Sequence, residues 1–293
     1  MELSDGGMQY TYVVDGLRSV YRVPPAGSDL SQMSDANLAA YGLPQRPADP
    51  ASLPEWATQM SRRHPMTPPA TLVEVTHAWA GPPACSGCWS GYIATSGSSS
   101  TYTFAEAIYA EPGVYSTSCN PNAAIMWAGL GGYGKSNLAQ DGTSVNWSGF
   151  GQHQSWYEIL PNYAVAEPVF GHPGYSFTAQ VNRIGTSNGF NFNLYDSYSG
   201  YGINFQVYGP GFDGSTADFI VERPSVNNTY QWLTNYVWVR FLDAYVNGTG
   251  PGHGVGSYPN TNISMWNGPN LLAYNTSITN SGKSFNNYFN SCS

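Results

Sequence analysis

Ala217-Asp218-Phe219-Ile220-Val221-Glu222-Arg223-Pro224 decides the fold class. Phe219 and Val221 fall on one face of an extended segment, and Asp218, Ile220 and Glu222 on the other, which is the period of a β-strand. The same alternation recurs on both sides of this stretch. Phe190, Phe192 and Leu194 share a face, as do Ile203, Phe205 and Val207, with Asn191, Asn193, Asn204 and Gln206 opposite them. Glycine and serine turns such as Ser197-Tyr198-Ser199-Gly200 separate the runs. Strand after strand with short turns predicts an all-β protein, a meandering antiparallel sandwich or barrel. In the late segment Tyr236–Tyr245, Val237, Val239 and Phe241 are expected inward, with Tyr236, Trp238 and Arg240 outward.

Composition agrees with this reading. Only 10% of the 293 residues are charged, 15% are aromatic, and there are 33 glycines. A polar surface built from amides and hydroxyls suits twisted sheets. The net charge of −8 leaves no basic patch for nucleic acid, and no apolar run is long enough to span a membrane. Cys85, Cys88, Cys119 and Cys292 lack a second Cys-x-x-Cys or His pair that would complete a zinc site. Disulfides are the favoured reading, with three connectivities open. The five histidines are scattered without metal-ligand spacing, so no metal or cofactor is expected.

The chain divides near residue 70. Residues 1–70 carry 5 of the 10 basic and 7 of the 18 acidic residues and read as mixed or helical. Ser52-Leu53-Pro54-Glu55 has the form of a capping box that starts a short helix toward Arg62-Arg63. Two roles are open for this segment: a pro-segment removed on activation, or an extension that stays attached and caps the sandwich. Residues 71–293 form the sandwich domain.

Two residue types then suggest chemistry. Glu222 ends a strand face and can serve as acid or base beside a positioned water. Gln140, in Asn137-Leu138-Ala139-Gln140-Asp141-Gly142-Thr143, offers an oxygen acceptor for that water and an NH2 donor for an oxyanion. This pairing resembles the glutamic peptidases, or eqolisins. Further segments carry the resemblance in order: Trp89-Ser90-Gly91-Tyr92, Trp127-Ala128-Gly129-Leu130-Gly131-Gly132, Trp156-Tyr157-Glu158-Ile159-Leu160-Pro161, the Glu222 strand itself, and Ser281-Gly282-Lys283-Ser284-Phe285. Tyr41-Gly42-Leu43-Pro44-Gln45-Arg46-Pro47 is similar to the pro-regions of bacterial members. The chain departs from fungal members at Gly131 and Ser144, where those often carry Asp, and at Asp218-Phe219, where they carry Glu-Trp.

The resemblance implies two packed, curved antiparallel sheets of about seven strands each, lectin-like, with substrate in a concave face. It implies a secreted endopeptidase acting on polypeptides, and a zymogen if residues 1–70 are a pro-segment; a monomer is expected. Turnover is expected between pH 2.5 and 5, insensitive to pepstatin and chelators. Catalysis falls to Gln140 and Glu222, and Trp127, Trp156, Glu158 and Asp218 are expected to line the substrate groove. The rival readings are a glycoside hydrolase using Glu158 and Glu222 as paired carboxylates, and a non-catalytic carbohydrate- or peptide-binding module. The five sequons at Asn146, Asn227, Asn247, Asn262 and Asn275 add weak support for export.

Overall fold

The alternating strands assemble into two large sheets, packed face to face. A computed structural model describes residues 1–47, 50–74, 87–96, 101–116, 118–146, 151–185, 188–209, 211–226, 229–247 and 253–293. Among the described residues the smaller sheet has nine strands and the larger eleven, more than the seven apiece that the resemblance implied. In the smaller sheet Asn260–Ile263, Trp89–Thr95, Thr216–Glu222, Asn122–Gly131, Leu138–Val145, Gln154–Ile159 and Val165–Phe170 lie side by side in that order. The Glu222 strand is thus sandwiched between two strands far from it in sequence. The larger sheet runs through Tyr201–Tyr208, Gly189–Asp196, Ser176–Arg183, Phe104–Ala110, Trp238–Val246 and Phe285–Phe289 at its centre. All of these neighbours pair antiparallel.

The core lies between the sheets. Met126, Ala128, Phe219, Val221 and Tyr157 come from the smaller sheet, and Phe177, Phe192, Leu194, Phe205 and Phe241 from the larger. Each of these aromatics is fully buried, and such burial stabilises by roughly 1.5–3 kcal/mol per side chain. The predicted faces of the Phe190 and Ile203 segments hold. The Tyr236 segment differs at its start. Val237 takes a positive φ of 56° and is exposed while Tyr236 is buried, so the strand and its alternation begin only at Trp238. A left-handed β-branched residue cannot continue a strand.

Residues 1–70 are built into the larger sheet as well as lying on it. Met8–Val14 and Leu17–Val23 form a hairpin, and the second of these strands pairs with Tyr201–Tyr208. Tyr21 enters the inter-sheet core, stacks 4.8 Å from Phe205, and donates its hydroxyl to Glu167 Oε1 at 2.6 Å. Ser19 meets the Tyr157 hydroxyl at 2.9 Å. The expected helix spans Leu53–Arg62 with Pro54 in its first turn, but the Ser52 side chain makes no capping bond. Cys119 and Cys292 form a disulfide across 173 residues of sequence; Cys88 is disulfide-bonded too, and Cys85 lies outside the described residues. Among the described residues no helix is long and apolar enough to cross a membrane.

Candidate active site

The outer face of the smaller sheet gathers every site residue expected from the sequence. Gln140 stands directly opposite Glu158 on the neighbouring strand, and its Nε2 donates to Glu158 Oε2 at 2.6 Å. On its other side Gln140 faces Gly129, which in turn faces Asp218. Trp127 lies between Ile220 and Gly142, and Gly142 opposes Trp156. Glu222 pairs with Trp89 and Ile125. The strand period thus places Gln140, Glu158, Trp156, Trp127, Asp218 and Glu222 on one surface, while Tyr157, Phe219 and Val221 point into the core.

Small residues keep that surface open beneath the indoles. A Cβ at Gly142 would come within 1.9 Å of the Met126 carbonyl oxygen, so only glycine allows this approach of the two strands. Trp127 leans along the sheet until its ring edge sits 3.0 Å from where a Gly129 Cβ would be.

The electrostatics follow from burial. Glu222 is 6% exposed. Burial pushes its carboxyl up to about 8, opposed by the indole N–H groups of Trp127 and Trp89. The Trp127 bond measures 2.9 Å to Oε2. Glu158 is held well above the usual carboxylate range by burial and then by the nearby charge of Glu222; donation from Gln140 works the other way. Asp218 is raised well above its ordinary value by burial, with only a long 3.5 Å bond from the Thr216 hydroxyl to favour its anion. Two indole donors make Glu222 the easiest of the three to ionise. Glu158 and Asp218, both raised well above their ordinary values, stay protonated at acid pH and add no negative charge to the face there.

Gln140 Oε1 is buried and has no hydrogen-bond partner. An unsatisfied buried acceptor is costly, and this one faces the same surface as Glu222. Gln140 and Glu222 do not bond to each other directly; Trp127 and Glu158 hold each of them in place. Trp89 is the site residue that sequence reasoning used only as a family marker. It packs edge-on against Trp127 at 4.9 Å, and its indole N–H favours the Glu222 anion after that of Trp127. Its position in Trp89-Ser90-Gly91-Tyr92 was visible, but its pairing with Glu222 depends on a strand order that links distant segments. Among the described residues no cluster of three or more His, Cys, Asp or Glu side chains could hold a metal ion.

This fold is shared with solved peptidases. A crystal structure of scytalido-glutamic peptidase with a transition state analog inhibitor superposes with a TM-score of 0.58 at 18% identity, covering 70% of this chain and 98% of that one. The structure of SCP-B, a member of the eqolisin family, in a complex with the tripeptide Ala-Ile-His gives 0.52 at 15% identity over the same shares. At such identities the likeness is one of fold. No curated protein sequence matches the chain. The family assignment comes from the sequence itself: residues 87–287 match the peptidase A4 family, and this chain belongs to it.

Proposed function

We propose that the chain is an acid-acting endopeptidase in which Gln140 and Glu222 hydrolyse peptide bonds through an activated water, with no covalent intermediate. The observation that carries this reading is the division of labour on one buried face. Gln140 turns an unpartnered oxygen to that face, and Glu222 presents a carboxylate steadied by two indoles. Water held between them gives a proton to Glu222 as its oxygen attacks the scissile carbonyl. One Gln140 N–H is engaged by Glu158; the other is free to donate to the tetrahedral oxyanion. The C–N bond then breaks as Glu222 returns the proton to the departing nitrogen.

Acid pH suits this arrangement because Glu158 and Asp218 stay neutral where the oxyanion forms. Glu222 must still ionise. At about 8 in the free site its carboxyl is protonated at acid pH, so the mechanism requires water and the substrate amide entering beside it to act as additional donors that lower that value. Trp127 and Trp156, fully buried around the pair, keep the site dry and strengthen each of these interactions. A disulfide-bonded chain of this kind is proposed to work in an oxidising, extracellular setting.

Digestion of an unstructured protein at pH 4, with pepstatin and EDTA controls, tests the reading. Glu222→Gln should lower the rate by about 10²–10⁴-fold and Gln140→Ala by about 10²–10³-fold, with circular dichroism unchanged. A folded Glu222→Gln protein with full activity would remove Glu222 from the mechanism. Persistence of sugar cleavage in Gln140→Ala would favour a glycoside hydrolase instead.

A further inference from the structure

A cavity of about 660 Å³ lies over the outer face of the larger sheet, on the opposite side of the sandwich from Gln140 and Glu222. Residues 42–47 and the Leu53–Arg62 helix roof it, and strands of the sheet form its floor. Its size falls within the usual range for small-ligand sites, roughly 300–1,000 Å³, but its floor is far more polar than most. Gln180 stands opposite Glu106 on one side and Asn193 on the other, and Asn193 opposes Asn204. The four side chains make one row across the sheet, and Asn193 Nδ2 donates to Gln180 Oε1 at 3.2 Å.

The two ends of the cavity have opposite character. Arg63 is 7% exposed, lies 4.6 Å over the Tyr195 ring, and bonds only amide oxygens, those of Asn193 and Asn204. Its Nε has no partner, and no carboxylate of the described residues lies within ion-pair distance of it. The charge of Glu106 reaches it at longer range, but a buried guanidinium without a bonded counter-charge is costly. At the other end Glu55, Asp243 and Glu106 crowd together. Burial and then Asp243 push Glu106 up while Arg63 works against them, and burial pushes Asp243 up with help from Glu55 against the opposing charge of Lys283. Mutually repelling carboxylates favour a cation between them.

We propose that this cavity binds a short peptide with both termini free, its carboxylate on Arg63, its ammonium in the Glu55–Asp243 corner, and its backbone amides on Gln180 and Asn193. Carboxamides both donate and accept, as peptide groups do. A neutral sugar would satisfy the amides but leave Arg63 uncompensated. The site is independent of the cleavage reading, because it lies on the other sheet and no reacting atom touches it.

Titration calorimetry on the full chain with trialanine, its C-terminal amide, its N-acetyl derivative and maltotriose tests the assignment, with mass spectrometry to show that each probe stays intact. Trialanine should bind, and amidation or Arg63→Lys should weaken binding by about tenfold or more. Acetylation or Glu55→Gln should weaken it severalfold; Glu55 is exposed on its helix, so this variant keeps the fold. Binding should persist in Glu222→Gln. The proposal is overturned if trialanine fails to bind the folded protein, if maltotriose binds in its place, or if binding ignores Arg63→Lys and Glu55→Gln. Loss of binding in Glu222→Gln alone would place the peptide on the other face and equally overturn it.

Discussion

Each outer face of the sandwich carries a glutamine directly opposite a glutamate, Gln140 with Glu158 on the smaller sheet and Gln180 with Glu106 on the larger. Their surroundings separate them. Around Gln140 stand Trp127, Trp156 and Ile220, all fully buried, and a third carboxylate, Glu222, fixed by indole donors. Around Gln180 stand asparagines and the Arg63 guanidinium, which the N-terminal segment itself contributes. On the proposed mechanism, hydrolysis needs more than a Gln–Glu pair. What distinguishes the smaller sheet is a dry aromatic enclosure and a carboxylate that ionises before its neighbours.

The largest way to disturb this contrast is to remove residues 1–70, which strips a hairpin from the larger sheet and takes Tyr21 out from between the two sheets. Tyr21 and Leu17 would leave the inter-sheet core, and truncations of large buried side chains each cost about 3–5 kcal/mol against a total stability of about 5–15 kcal/mol. The fragment 71–293 is expected to lose cooperative unfolding and near-ultraviolet dichroism. A nick after Arg63 should leave the fragment docked, because the Leu17–Val23 strand stays paired. A folded, fully active 71–293 fragment would instead make the segment a removable appendage.

Next comes stability against pH. Burial raises Glu167 to about 8 and Glu106 to about 7, from an ordinary value of 4.5. The folded state therefore holds protons that the unfolded chain has released. Stability is fully present below pH 4.5 and falls between about pH 4.5 and 8, by up to about 1.4 kcal/mol per pH unit for each group. Urea midpoints should be higher at pH 4 than at pH 8, and Glu167→Gln should flatten the difference. Midpoints that rise with pH would contradict the assignment of buried, protonated carboxylates.

Trp127→Phe is a smaller change that keeps an aromatic ring and deletes the donor to Glu222. Turnover should fall about tenfold, the loss of one charge-assisted hydrogen bond. The Glu222 titration, followed by carboxyl carbon NMR, should move above its value near 8. In the native protein the acid limb of kcat should lie well below that titration, since substrate supplies donors the free site lacks. Smallest of all is Glu158→Gln. Glu158 already keeps its proton, so an amide there should cost less than about threefold at pH 4. A loss as large as that of Glu222→Gln would make the two glutamates a working pair and favour the glycosidase reading.

The sandwich was legible wherever apolar residues alternate, as at Phe190–Leu194, because a half-buried sheet imposes that period. It was illegible at Val237, whose left-handed backbone no residue pattern announces. The N-terminal hairpin had a signal that went unused: Asp15-Gly16, both at positive φ, between two runs that alternate as strands. Strand parity put Asp218 and Glu222 on one face, while Gln140 joined them through the family resemblance. The donors to Glu222 did not. Trp89 meets it through a pairing 133 positions distant in sequence, and single-sequence periodicity carries no information about such partners.

The central claim is that Gln140 and Glu222 act as one unit, and the double-variant cycle tests it most directly. Peptide hydrolysis at pH 4 is measured for Gln140→Ala, Glu222→Gln and the combined protein, each shown to be folded. The account predicts that the double variant is no slower than the slower single one, because removing either partner already dismantles the same water-activating step. Losses that multiply in the double variant, or a single variant that keeps its native rate, would contradict it.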